Sequence, residues 1–336
     1  MTVAFVFKNP NIDSPGACHQ GLGIMAENCA LSLREMRIDA SARPVPNGEY
    51  LWSQLANDWS NVTHVILSAP FIDATFLAKL LGNFPQKRFA MVYHSNLGFL
   101  SQDQFAGRSL PLFMRLEQKY SNFTVAANCA ELSNAMLAAT GLPCTRLPNL
   151  YHLPSRTRRT RTPWSQGHVL HIGLFGAARV LKNWLTAGTA AMIICRSLNA
   201  EVHLHVSGGR DEGSDATRAS LAAMLSLNQQ VQLVNAPWMG HDDFIRYLYG
   251  MDLLLQPSFT ESFNNVTADG CCCGVPSVVS EAIDWVPAKW IAKGDSAMQV
   301  AKIGISLLRD RRAADNGWKA LDSYNSAAKK SWLAWL

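Results

Sequence analysis

No stretch of the 336 residues reaches the ~18 consecutive apolar residues that a membrane span needs, so the expectation is a soluble or at most peripheral protein. Residues 1–8 form a short strand-like run with neither a cationic leader nor a cleavage site. The eight cysteines include no Cys-x-x-Cys pair, which argues against a zinc cluster of that kind. Cys271, Cys272 and Cys273 are consecutive, and neighbours that close do not readily pair with one another. They read as small, reduced, buried residues, and that usage points to a cytoplasmic protein. Low-complexity segments and short repeats are missing too. Neither charge sign dominates: 30 Lys and Arg stand against 25 Asp and Glu, a net charge of +5. So small an excess points only weakly to an anionic partner such as a nucleotide, a phospholipid surface or a nucleic acid.

What is present suits a globular chain with a sizeable core, at 48% hydrophobic residues. At roughly 150 residues per domain, the length predicts two domains. Strand-like runs fall at residues 2–7, 64–69, 88–93 and 123–127, with helical patterns through Arg37 and near 74–83 and 131–140. The second half repeats the plan, with strands at 168–175, 201–206, 229–234, 252–256 and 276–279. Its helical patterns lie near 183–199, 214–228, 241–250 and 285–310. Such alternation predicts α/β architecture, with two Rossmann-like, doubly wound parallel-sheet domains facing across a cleft. Ligands in such sheets bind beyond the carboxyl ends of the strands. The boundaries read as 1–150 for the first domain, 151–164 for an Arg-rich linker, 165–310 for the second domain and 311–336 for a helical tail.

Chemistry concentrates between Asp252 and Val279. A buried strand ends at Pro257-Ser258, a loop carries Glu261, and a helix begins around Phe263 to Asn265. A helix start beyond a strand end presents unpaired N–H groups and partial positive charge, a setting for phosphate. Glu261 is placed to accept hydrogen bonds from sugar hydroxyls. Asp269, about two turns on, is expected on the same side, within reach of a ribose. Glu261-Ser262-Phe263, Asp269 and Gly274-Val275-Pro276 together resemble the donor signature of the retaining GT-B glycosyltransferases of family 4. Asp269 stands where that family has a longer Glu. A second segment, 173–183, resembles the family's first loop of the donor domain, with Gly176 at the strand end and Arg179 and Lys182 beyond it.

The resemblance implies a GT-B enzyme that moves a hexose from a nucleotide-diphosphate sugar, UDP-linked by expectation, to a hydroxyl with retention. Arg179 and Lys182 would neutralise the departing diphosphate, so no cofactor and no metal is required, and no Asp-x-Asp pair is present to hold one. The resemblance also implies that residues 1–150 are the acceptor domain and 165–310 the donor domain, that the tail over 311–336 packs back on the first domain, and that displacement is front-face, without a protein nucleophile. Donor contacts extend by the same resemblance to Gly208, Trp238, Asn264, Asn265 and Val266, with His94 near the reacting sugar. Gly21 and Gly23 resemble the first-domain glycine loop that approaches phosphate and acceptor.

The acceptor stays open between an envelope glycan or lipid and a hydroxymethylated pyrimidine in DNA. Arg156, Arg158, Arg159 and Arg161, interleaved with threonines, suit a phosphate backbone, as in virus-encoded DNA-modifying enzymes. Lys329, Lys330, Trp332, Trp335 and Leu336 suit peripheral contact with an anionic membrane face. Because Asp269 departs from the family pattern, a catalytically silent GT-B binding protein is the alternative.

Overall fold

The computed structural model describes residues 1–10, 20–153, 164–208 and 215–336. The chain divides into two units: residues 1–152 with 325–336, and residues 153–324. The arginines at 156, 158, 159 and 161 lie outside the described residues.

In the first unit β1 (Thr2–Lys8), α1 (Gln20–Glu35), β2 (Asp39–Val45), α2 (Gly48–Ala56), β3 (His64–Ser68) and α3 (Ala74–Asn83) follow in order. Then come β4 (Arg88–Tyr93), α4 (Leu97–Leu100), α5 (Gln104–Lys119), β5 (Phe123–Ala127), α6 (Ala130–Thr140) and β6 (Thr145–Arg146). The strands form one parallel sheet in the order β2-β1-β3-β4-β5-β6. All five residues of β3 are buried, as expected of a strand covered on both faces.

The sequence reading misses β2 and α5. β2 is an edge strand carrying Arg43 and Pro44, with a mostly half-buried pattern that lacks a clean apolar run. α5 holds Pro111 inside it, which reads as a break in sequence. Gly21 and Gly23, expected in a glycine loop, lie instead within α1. A Cβ on Gly23 would meet the Phe7 ring at 3.1 Å, so this glycine lets α1 close on β1.

The first unit is completed by the far end of the chain. α12 (Ala313–Trp335) begins in the second unit and ends in the first. Asn325 brackets the Tyr151 backbone, accepting from its N–H at 2.9 Å and donating to its carbonyl at 2.7 Å. Trp332 is 2% exposed, meets Phe5 edge-on at 5.3 Å and donates Nε1–H to the Pro148 carbonyl at 2.7 Å. Trp335 packs beside His64, receives the Arg88 guanidinium on its face and donates to Thr124 Oγ1. Lys329 reaches Glu35 at 3.3 Å. These tryptophans are spent in the core, which corrects the expectation that they lie on a membrane. No described helix is long and apolar enough to cross one.

In the second unit β7 (Leu170–Leu174), α7 (Trp184–Leu198), β8 (Val202–Ser207), α8 (Asp215–Leu225), β9 (Val231–Ala236) and α9 (His241–Leu248) precede a crossover. β10 (Leu253–Gln256), α10 (Asn265–Cys273), β11 (Ser277–Ser280), β12 (Ile291–Ala292) and α11 (Ala297–Arg309) follow. The sheet order is β12-β11-β10-β7-β8-β9, with every recorded pairing parallel. Direction of winding reverses between β7 and β10, the switch point where such sheets bind ligands. A Cβ on Gly304 of α11 would meet Leu253, and one on Gly270 of α10 would meet Leu254. Adjacent strand residues face opposite ways, so α10 and α11 cover opposite faces.

The helix expected over 285–310 is confined to α11. Pro287 and Gly294 interrupt its first half, which instead makes a 3-10 turn over Ala288–Trp290 and the short β12.

Candidate donor site

At the end of β7 the chain turns through Gly176, whose φ of +111° belongs to the region that glycine adopts without strain. Its N–H donates to Ser207 Oγ at the end of β8, 3.1 Å away. A Cβ here would press on Lys182 Cε at 3.3 Å, so the absent side chain also makes room for the lysine stem.

Arg179 opens the next turn, a 3-10 segment over Val180–Lys182. Asn183 then adopts the left-handed conformation, φ 57°, and α7 starts. Its side chain does not cap α7. The amide donates to the Pro257 carbonyl at 3.0 Å and the Gly294 carbonyl at 2.6 Å, fixing this turn against the loop after β10. The Phe259 N–H adds a backbone bond to the Leu181 carbonyl at 2.9 Å.

The two loops bring Lys182 Nζ to 2.5 Å from Glu261 Oε1. Both side chains are largely covered, 16% and 13% exposed. Asn264 organises the carboxylate side. Its φ is 65°, and its Oδ1 accepts the Thr267 N–H at 2.8 Å as the N-cap of α10. Its amide donates to Glu261 Oε1 at 3.1 Å and to Gln256 Oε1 at 3.2 Å. Gln256 in turn donates to the Phe175 carbonyl at 3.2 Å. A continuous polar chain therefore ties the ends of β7 and β10 to the Lys182–Glu261 pair.

Of the remaining expected donor contacts, Asn265 and Val266 are partly buried in the first turn of α10. Phe263 is 1% exposed and stacks on Trp285 at 5.3 Å, with Tyr324 on the same cluster. Its ring is therefore core and steadies the loop that carries Glu261. Asp269 is buried and is met by His241 Nε2 at 3.0 Å. Gly208 follows β8, where a Cβ would stand 2.7 Å from the Ala236 carbonyl, so the close pairing there requires glycine. Trp238 lies partly buried between β9 and α9.

His241, at the first position of α9, is missed by sequence reasoning. Its signal is the third dimension: the residue is 28 positions from Asp269. The hydrogen bond that His241 donates to Asp269, together with that carboxylate's charge and Asp242's, raises the His241 pKa above its ordinary value against the opposing effect of burial. The pair's stabilisation is thus fully present below the unfolded histidine value and is lost as pH rises through the elevated folded one. Replacing Asp269 with asparagine is expected to lower the His241 titration midpoint, followed by NMR of its ring protons.

His94 belongs to the first unit, one residue beyond β4, with Nδ1 3.4 Å from Asn128 Nδ2. Burial drives its pKa down to about 4, only partly offset by a hydrogen bond to Asn149, so the ring is neutral at pH 7.

Residues 131–283 match the family described as family 4 glycosyltransferase in conflict systems. No curated protein matches the chain. Among solved structures, Anabaena HepE in complex with UDP and glucose superposes with a TM-score of 0.66 at 14% identity, covering 100% of each chain. Sucrose-phosphate synthase from Thermosynechococcus elongatus gives 0.68 at 16% identity, covering 100% of this chain and 98% of its own. A point mutant of S. aureus TarM, in complex with fondaparinux, α-GlcNAc-glycerol and UDP, gives 0.61 at 15% identity, over 81% of this chain and 54% of that one. The fold is that of the GT-B glycosyltransferases, and the segment from Glu131 to Ile283 matches a family 4 glycosyltransferase domain.

Proposed function

We propose that the protein is a retaining glycosyltransferase that moves a hexose from a UDP-linked donor to a hydroxyl acceptor. The observation that carries this reading is the meeting of Lys182 and Glu261 at the switch point of the second sheet, beside the start of α10. In that position an incoming donor exchanges one internal ion pair for two ligand contacts. Lys182 and Arg179 take the diphosphate, and Glu261 accepts hydrogen bonds from the sugar hydroxyls. The N–H groups opening α10 add partial positive charge where phosphate lies. Asp269 takes a ribose hydroxyl, exchanging it for His241. The UDP bound to HepE supports the choice of nucleotide.

As the glycosidic bond breaks, negative charge grows on the departing phosphate, and fixed cations stabilise that change more than they stabilise the ground state. The phosphate oxygen receives the acceptor proton on the same face, which gives retention without a protein nucleophile. Under this reading the chemistry asks for no metal at the diphosphate.

The test is transfer from a panel of nucleotide sugars, first ranked by the rise in melting temperature that each produces. Glu261→Gln is expected to weaken sugar-nucleotide binding and turnover while calorimetry with free UDP changes little. An equal loss for UDP would remove Glu261 from the sugar subsite. Donor binding without transfer to any acceptor would instead favour a silent binding protein. The acceptor is either an envelope glycan or lipid, or a hydroxymethylated pyrimidine in DNA. Labelled transfer to each decides between them, and a DNA acceptor should bind steeply less well as salt rises.

A further inference from the structure

Away from the donor loops, β7 and β8 bring three histidines together on one sheet face. His171 on β7 lies directly opposite His203 on β8, and His205 follows two residues later. Side chains at i and i+2 share a face, and neighbouring strands lie about 4.8 Å apart, so the three rings are forced into one cluster. Their centroids are 5.2 Å (His171–His203), 5.2 Å (His171–His205) and 6.4 Å (His203–His205) apart. One ring nitrogen from each lies within 4.8 Å of the others. His205 is buried, and the other two are partly exposed.

We propose that His171, His203 and His205 form a binding site for one divalent transition-metal ion of the zinc class, distinct from the donor site. Imidazole nitrogen is the donor that zinc, copper, nickel and cobalt share, and three such ligands leave one position for water or a carboxylate. His171 Nδ1 and His205 Nε2 stand 2.9 Å apart. A tetrahedral ion holding nitrogens at ~2.0–2.1 Å separates them by about 3.3 Å, so a small opening of the pair admits it.

Outer partners are already in place. The far nitrogen of His205, Nδ1, lies 2.6 Å from the Tyr247 hydroxyl. His203 Nε2 lies 3.2 Å from Glu201 Oε1, and Gln232 donates to the same oxygen at 3.0 Å. Hydrogen bonds of this kind orient metal-binding imidazoles and raise their basicity. His171 N–H donates to Asp252 Oδ2 at 2.8 Å, which anchors the strand that carries the first ligand.

The experiment titrates the whole chelator-treated chain with cobalt(II), then zinc(II). Cobalt uptake is read by visible absorption and by metal analysis after gel filtration. About one equivalent per chain, with a rise in melting temperature, is expected. His171→Asn and His203→Gln change partly exposed rings and should each abolish the absorption band while the metal-free melting temperature stays close to wild type. Tyr247→Phe removes an outer partner and should cut affinity about 10–100-fold. Either result supports the site even if one histidine variant fails to fold. Failure of the wild type to take up cobalt or zinc at ~100 μM, far above the affinities of zinc sites, would overturn the proposal. So would uptake that survives both histidine substitutions.

Discussion

Replacing Lys182 with alanine is expected to lower sugar transfer by about 10²–10³-fold, the loss seen when one fixed donor to a developing oxyanion is removed. The side chain stands 2.5 Å from Glu261, with which it forms an ion pair. Glu261 keeps the Asn264 amide as a partner, so the carboxylate is not stranded. Melting temperature should therefore fall little while kcat/KM collapses. Single-turnover transfer and thermal denaturation of the same preparation measure both. Lys182→Arg retains charge, but its planar fork sits in a space shaped by Gly176 for a slender stem, so only partial recovery is expected. Full activity in Lys182→Ala would dismiss the donor assignment.

The largest effect on stability is expected from Trp332→Ala. Truncating a buried tryptophan costs about 3–5 kcal/mol through lost burial and the cavity left behind. The Pro148 carbonyl also loses its indole donor, and Phe5 loses an edge-on partner. Leu333, the next residue on the same helix, is 53% exposed. Leu333→Ala should stay within about 0.5 kcal/mol, because an exposed helix position tolerates that change. Urea denaturation of the two variants provides the comparison. Equal stability would mean that α12 merely rests on the first sheet.

The strands most legible in the sequence are those buried on both faces. β3, β4 and β10 are short, largely apolar runs, and their periodicity needs no tertiary information. β2 and β12 lie at sheet edges, where half-buried, polar or two-residue segments carry little pattern. Lys182 and Glu261 are readable because each follows a buried strand at a spacing that resembles a known signature. The bracket made by Asn183 is not, since its two carbonyl partners come from residues 257 and 294. His241 escapes for the same reason. The histidine cluster has half a signal: His203-x-His205 on a strand shares a face, but only the β7–β8 register supplies His171. The glycines at 21 and 23 mislead because a glycine-rich stretch reads the same whether it turns or packs inside a helix.

The joining of residues 325–336 to the first unit bears on how the chain matures during translation. A ribosome emits β1 to β6 first, yet the surface beneath Phe5, His64 and Thr124 stays uncovered until Trp332 and Trp335 emerge. Of the two sheets described, the first to be made is thus completed by residues made after the second. A stalled nascent chain would carry it with an open apolar flank, a natural substrate for chaperone capture.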